Sequence, residues 1–138
     1  MSDIGLFPTL TTELVCLFLA TILGIVQLSW AAIAARGQQG LNWARGPRDE
    51  PRPVTGTAAR LDRAFRNFLE TYPFFAAAIL MVLVTQSRGA LSEWGAVAYL
   101  AARIIYVPLY AAGVPTVRTL VWLVGLVGLV LVLIQPFA

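Results

Sequence analysis

The 138-residue chain has no histidine, a single cysteine and, among its ten basic residues, no lysine. Without histidine, a Ser-His or Cys-His nucleophile pair, a haem histidine and the usual histidine metal sites are excluded. Cys16 has no partner for an internal disulfide and spells out no zinc cluster, so the expected metal complement is none. It sits in the run Leu14-Val15-Cys16-Leu17-Phe18-Leu19 and reads as a small lipid-facing or packing residue. Charge is also scarce. Only 12% of residues are charged and 59% are hydrophobic, with a mean hydropathy of +0.77, which rules out an ordinary water-soluble globule. At roughly 20 apolar residues per crossing, the chain holds about four membrane helices and no separate soluble domain. Acid-base or nucleophilic chemistry must then come from Arg, Tyr or Glu, or from the substrate itself.

The apolar runs predict an all-α integral membrane domain over 1–138, with helices at about 10–35, 58–86, 92–112 and 116–134. Asp3 and Glu13 precede the first run and no basic residue does, so it reads as a retained membrane helix rather than a signal peptide. Gly37 to Thr57, rich in Gly, Pro and Arg, reads as the one long loop, and Thr57 as the N-cap of the second helix. Gln86-Ser87-Arg88-Gly89 forms a short turn, and Gly113 with Pro115 a tight one. Arg36, Arg45, Arg48, Arg52 and Arg60 flank or occupy the long loop, whereas the second turn holds only Arg88. This asymmetry puts the long loop in the cytoplasm and both termini outside. Gly125 and Gly128 favour close helix packing in the last span.

Polar residues interrupt the apolar spans in a pattern. Arg63, Arg66, Asn67 and Glu70 fall at i, i+3, i+4 and i+7, on one stripe of the second helix. Arg103, Tyr106 and Tyr110 fall at i, i+3 and i+7 on the third. At 1.5 Å per residue, Glu70 and Arg103 both lie roughly 15–17 Å from the inner helix ends. A lone charge at that depth costs at least about 2.5–3.5 kcal/mol, which predicts a Glu70–Arg103 ion pair, serving either as structural glue or as part of a site. Arg118 occupies the first turn of the fourth helix, where the macrodipole favours an acidic residue. A guanidinium there makes an anion-binding corner, with a snorkelling topology arginine as the alternative. Pro73 and Pro108 lie close by, where local kinks would widen a pocket.

The segments Arg63-Ala64-Phe65-Arg66-Asn67-Phe68-Leu69-Glu70-Thr71-Tyr72-Pro73-Phe74 and Arg103-Ile104-Ile105-Tyr106-Val107-Pro108-Leu109-Tyr110, followed by Arg118, resemble the MAPEG family, the membrane-associated proteins in eicosanoid and glutathione metabolism. The resemblance spans the second to fourth helices, with compatible spacing in the first. It implies a four-helix bundle that assembles as a homotrimer, with glutathione as co-substrate between subunits near the cytoplasmic side. By position it assigns Arg66, Asn67 and Glu70 to glutathione, with Arg63 assisting, Tyr110 lining the thiol end, and Arg36 reaching in from the adjacent subunit; the stripe on the third helix adds the Tyr106 hydroxyl to the ligand-binding group. Arg103 becomes the buried structural charge of the third helix, and Arg118 the catalytic residue that stabilises the thiolate. The loop around Arg48 and Asp49 is closest to bacterial members, which implies the bacterial inner membrane.

The expected activity is a glutathione-dependent transferase or peroxidase acting on small hydrophobic electrophiles drawn from the bilayer. A thiol of pKa about 8.5 is lowered by roughly 1–3 units beside a positive charge, so glutathione would bring its own nucleophile. Two readings stay open beside it: a non-catalytic protein of the same fold that binds a lipid, another anion or a partner, and a small transporter. A transporter usually shows paired repeats with broken helices, which this chain lacks. Nucleic acid is not an expected partner, since the arginines lie near or within the membrane without an extended basic face.

Overall fold

A computed structural model describes residues 10–138, so Asp3 lies outside the described residues. The chain forms α1 (Thr12–Gln39), α2 (Leu41–Arg45), α3 (Gly56–Val84), α4 (Ala90–Ala112) and α5 (Pro115–Ile134), and ends in a 3-10 turn at Gln135–Phe137. The helices α1, α3 and α4, and α5 together with its final turn, are each long and apolar enough to cross a membrane. These are the four helices expected, with boundaries moved by local chemistry. Thr11 caps α1, which therefore begins at Thr12 and not near Leu10, the Thr11 hydroxyl accepting from the Leu14 N–H at 3.2 Å. The helix then passes the expected stop at Ala35 and ends at Gly40, whose φ of 85° suits glycine and whose N–H bonds the Arg36 carbonyl.

The long loop is more ordered than its composition suggests. Two glutamines at the end of α1 clamp it. The Gln38 amide donates to the Thr55 carbonyl and accepts from the Thr55 N–H, both at 2.9 Å. The Gln39 amide donates to the Arg52 carbonyl at 2.7 Å, while Arg52 donates back to the Gln39 carbonyl at 3.0 Å. The clamp fixes Thr55 as the residue preceding α3, two positions before the expected cap at Thr57. Thr57 instead accepts from the Arg60 guanidinium at 3.0 Å. At the other end α3 stops at Val84 rather than Gln86, because Gln86 adopts a φ of 54° and turns the chain.

Small residues allow the helices to approach. A Cβ placed on Gly95 would lie 2.5 Å from the Gly128 carbonyl oxygen, and one on Gly128 would lie 2.6 Å from the Gly95 carbonyl oxygen, so α4 and α5 meet backbone to backbone. Around this crossing lies an apolar core of Cys16, Ala20, Phe75, Ala78, Ile79, Val82, Ala96, Tyr99, Leu129 and Val132. Cys16 is thus a packing residue. Phe75 stacks on Tyr99 with centroids 4.0 Å apart. The core occupies the end of the bundle away from the long loop, where a buried polar cluster closes it. Glu13 is fully buried, accepts from the Ser92 hydroxyl at 2.6 Å and pairs with Arg88 at 3.3 Å. The Ser92 N–H in turn donates to the Gln135 side chain at 3.1 Å. Glu13 and Arg88, read in the sequence only as flanking charges, therefore tie α1 to the start of α4 and the chain end.

Gly95→Ala forces a backbone clash and should cost roughly 1–3 kcal/mol. It should lower the Tm in detergent, whereas Gly37→Ala, with open space around the new Cβ, should not. Gln27 is buried with neither side-chain polar atom bonded among the described residues, so Gln27→Met should raise the Tm. Glu13→Ala should lower it, because it removes a fully buried side chain and the link from α1 to Ser92 and Arg88, which keep Gly89 and Glu93 as partners. The opposite signs in thermal unfolding would refute this account of the buried polar groups.

Candidate functional site

The loop-proximal half of the bundle is polar where the distal half is apolar. An open-sided cavity of about 390 Å³ lies there, lined by Arg63, Arg66, Asn67 and Glu70 from α3, Tyr106 and Tyr110 from α4, and Arg118 from α5. Seven residues singled out in the sequence, six by helical spacing and Arg118 by its place at a helix start, thus share one cavity. Two others do not line it. Arg103 lies behind the wall, 2% exposed, and Arg36 is exposed near the end of α1, beside a separate small recess with Gln39, Ala44 and Arg48.

The tight turn between α4 and α5 brings Arg118 into the group. Gly113 adopts a left-handed φ of 75°, its N–H bonding the Tyr110 carbonyl, and the Val114 N–H bonds the Leu109 carbonyl. Pro115 opens α5 immediately afterwards. Arg60 caps the exposed end of α4 from α3, its Nε donating to the Ala111 carbonyl at 2.8 Å. The sequence reading counted Arg60 only as a topology signal; its reach to a helix end that is remote in sequence carries no local signature. With the turn so held, the Arg118 guanidinium lies 4.3 Å from the centre of the Tyr110 ring, a cation-π contact. Tyr110 in turn lies 5.6 Å from Tyr106, centroid to centroid.

The expected Glu70–Arg103 ion pair does not form. Arg103 Nη1 donates to the Asn67 side-chain oxygen at 2.8 Å, and Nη2 donates to the Thr71 hydroxyl at 2.6 Å. Asn67 then passes its amide nitrogen to Glu70 at 3.3 Å. The reason is angular. At about 100° per residue, Asn67 and Thr71 are about 40° apart and face α4 together, whereas Glu70 lies about 100° from Thr71 and faces the cavity. Equal depth was not enough to make the pair. Arg103 is also bracketed by the rings of Tyr99 and Tyr106, at 5.5 and 5.3 Å. Thr71 and Tyr99, which carry no role in the sequence pattern, are the acceptor and the ring that make this burial tolerable.

Electrostatically the cavity presents three guanidinium groups and one carboxylate. Arg66 is engaged by Asp62 at 3.0 Å, one helical turn away on an exposed face. Among the described residues, Arg63 and Arg118 make no ion pair. The cavity therefore offers donors for carboxylates or a thiolate on several sides, and at Glu70 an acceptor suited to an ammonium or amide.

Four helices apolar enough to cross a membrane, three of which wall an arginine-rich cavity, define an all-helical integral membrane protein. The MAPEG family profile matches residues 14–138, nearly the whole chain, and the chain belongs to that family, whose members are membrane proteins of glutathione and eicosanoid metabolism. No curated protein and no solved structure matches it.

Since Asn67 stands between Arg103 and Glu70, Asn67→Ala with Arg103→Gln should be strongly non-additive in a double-mutant cycle of stability, by about 1–3 kcal/mol. Glu70→Gln with Arg103→Gln should give a clearly smaller coupling. Equal couplings would restore the direct ion pair.

Proposed function

We propose that the protein is a glutathione-dependent membrane enzyme of transferase or peroxidase type, which turns an arginine-stabilised thiolate on small hydrophobic electrophiles arriving from the lipid. The observation that carries this reading is the convergence of Arg63, Arg66 and Arg118 with Glu70 on one cavity. Glutathione has two carboxylates, an ammonium and a thiol, and the donor set matches each. Arg63 and Arg66 suit the carboxylates, Glu70 the ammonium, and Asn67 an amide or carboxylate oxygen. Tyr106 and Tyr110 line the thiol end, where Arg118 is the catalytic residue.

Arg118 stands at the start of α5, so the guanidinium and the helix dipole both favour the anionic form of a thiol placed there. The Tyr110 ring beneath the guanidinium limits its motion. With its thiol ionised at neutral pH, glutathione would form a C–S bond to an electrophilic carbon as the leaving group departs with its electron pair. Alternatively it would take a peroxide oxygen as the O–O bond breaks and water protonates the alkoxide, a second glutathione then reducing the sulfenic acid to the disulfide and water.

The same site argues for self-association. Arg63, Arg66 and Glu70 are exposed on the isolated protomer, and Glu70 lies midway along a membrane-spanning helix. Charges at that depth do not face lipid. A second copy covers them in this reading, giving the homotrimer that the resemblance implies, and Arg36 reaches the cavity only from such a neighbour. The long loop then lies in the cytoplasm, with both chain ends outside, in the bacterial inner membrane.

The test is a glutathione titration of the purified protein in detergent, followed by thiolate ultraviolet absorbance at neutral pH. Saturable thiolate formation is expected, and Arg118→Ala should abolish it and cut turnover roughly 100-fold while changing glutathione affinity much less. No binding at millimolar glutathione would overturn the enzymatic reading in favour of a protein that binds another anion or a lipid.

A further inference from the structure

Thr71 and Tyr99 do not line the cavity, yet both are joined to it by hydrogen bonds. Thr71 is 8% exposed and Tyr99 is fully buried. Their hydroxyls are 3.0 Å apart, and the Thr71 oxygen receives Arg103 Nη2 at 2.6 Å. A guanidinium only donates, so its contact with Asn67 at 2.8 Å must be to the amide oxygen. That contact leaves the Asn67 nitrogen turned to Glu70.

We infer that Thr71 and Tyr99 are positioning residues: through Arg103 they set the Asn67 amide so that the site offers an N–H donor beside an oriented Glu70 carboxylate. The inference rests on the glutathione reading for what the site binds, and on the hydrogen bonds alone for the relay.

The relay is needed because Arg103 has few other restraints. Its Nε has no hydrogen-bond partner among the described residues, and the flanking Tyr99 and Tyr106 rings restrict the guanidinium without fixing its rotation. Thr71 supplies the acceptor that fixes it. Tyr99, stacked on Phe75 in the apolar core, holds the Thr71 hydroxyl. Without the hydroxyl, Nη2 is stranded in a dry interior and the guanidinium swings to find a partner. Asn67 then loses the bond that selects its orientation, and a ligand acceptor meets the wrong end of the amide.

Thr71→Val, which keeps the shape, should raise the glutathione KM about tenfold while kcat stays within about twofold. Thr71→Ser should restore the parent value, and Tyr99→Phe, which keeps the stacked ring, should fall between them. The second readout needs no glutathione. In 15N-labelled protein, the Asn67 side-chain amide resonance, identified by its loss in Asn67→Asp, should move in Thr71→Val and return in Thr71→Ser. A Thr71→Val protein with a lower Tm but an unchanged KM and an unmoved Asn67 resonance would overturn the relay. Should that variant fail to fold, Tyr99→Phe decides on the same two readouts. If the parent binds no glutathione, the proposed function fails and the Asn67 resonance still decides the relay.

Discussion

The charge of Arg103 must be accommodated at 2% exposure, and the middle of the bundle is arranged around that requirement. A guanidinium in an apolar interior costs several kcal/mol unless its N–H groups are met. Two are met here, by Asn67 and Thr71, and aromatic rings stand on either side. Each partner that stabilises the charge is thereby oriented by it. Asn67 therefore stands in the cavity wall with its oxygen bonded to Arg103 and its nitrogen to Glu70.

The two ends of the bundle divide the work. At one end, small residues bring α4 and α5 into backbone contact, and Glu13, Arg88, Ser92 and Gln135 close the helices over an apolar core. At the other, long side chains from α3, α4 and α5 stand apart around open space. A hydrogen bond joins the two ends, since Tyr99 belongs to the core and its hydroxyl meets that of Thr71. Binding sites placed on packed helices in this way keep their geometry better than sites carried by loops.

Much of the site was legible from helical periodicity. The stripe Arg63, Arg66, Asn67 and Glu70, and the stripe Arg103, Tyr106 and Tyr110, were visible because membrane helices are long, regular and otherwise apolar, so a polar residue stands out and its face follows from its number. Arg118 stood out for the opposite reason, a cation at the wrong end of a helix. Thr71 and Tyr99 carried no such signal: a threonine and a tyrosine in an apolar helix are ordinary until a buried arginine is found against them. The Gln38 and Gln39 clamps were hidden because their partners are backbone groups, which leave no trace in side-chain identity.

Composition and periodicity by themselves determined the number of membrane helices, the residues on each polar stripe and the depth of each charge, because these depend only on hydropathy and the rise of a helix. Which charges meet was decided by the tertiary structure. Glu70 and Arg103 share a depth but not a direction, and rotations of about 60° and about 100° around one helix are enough to put Asn67 and Thr71 in the place of the expected partner. Rotation about a helix axis is set by packing against neighbours, and no single helix carries that information in its own sequence.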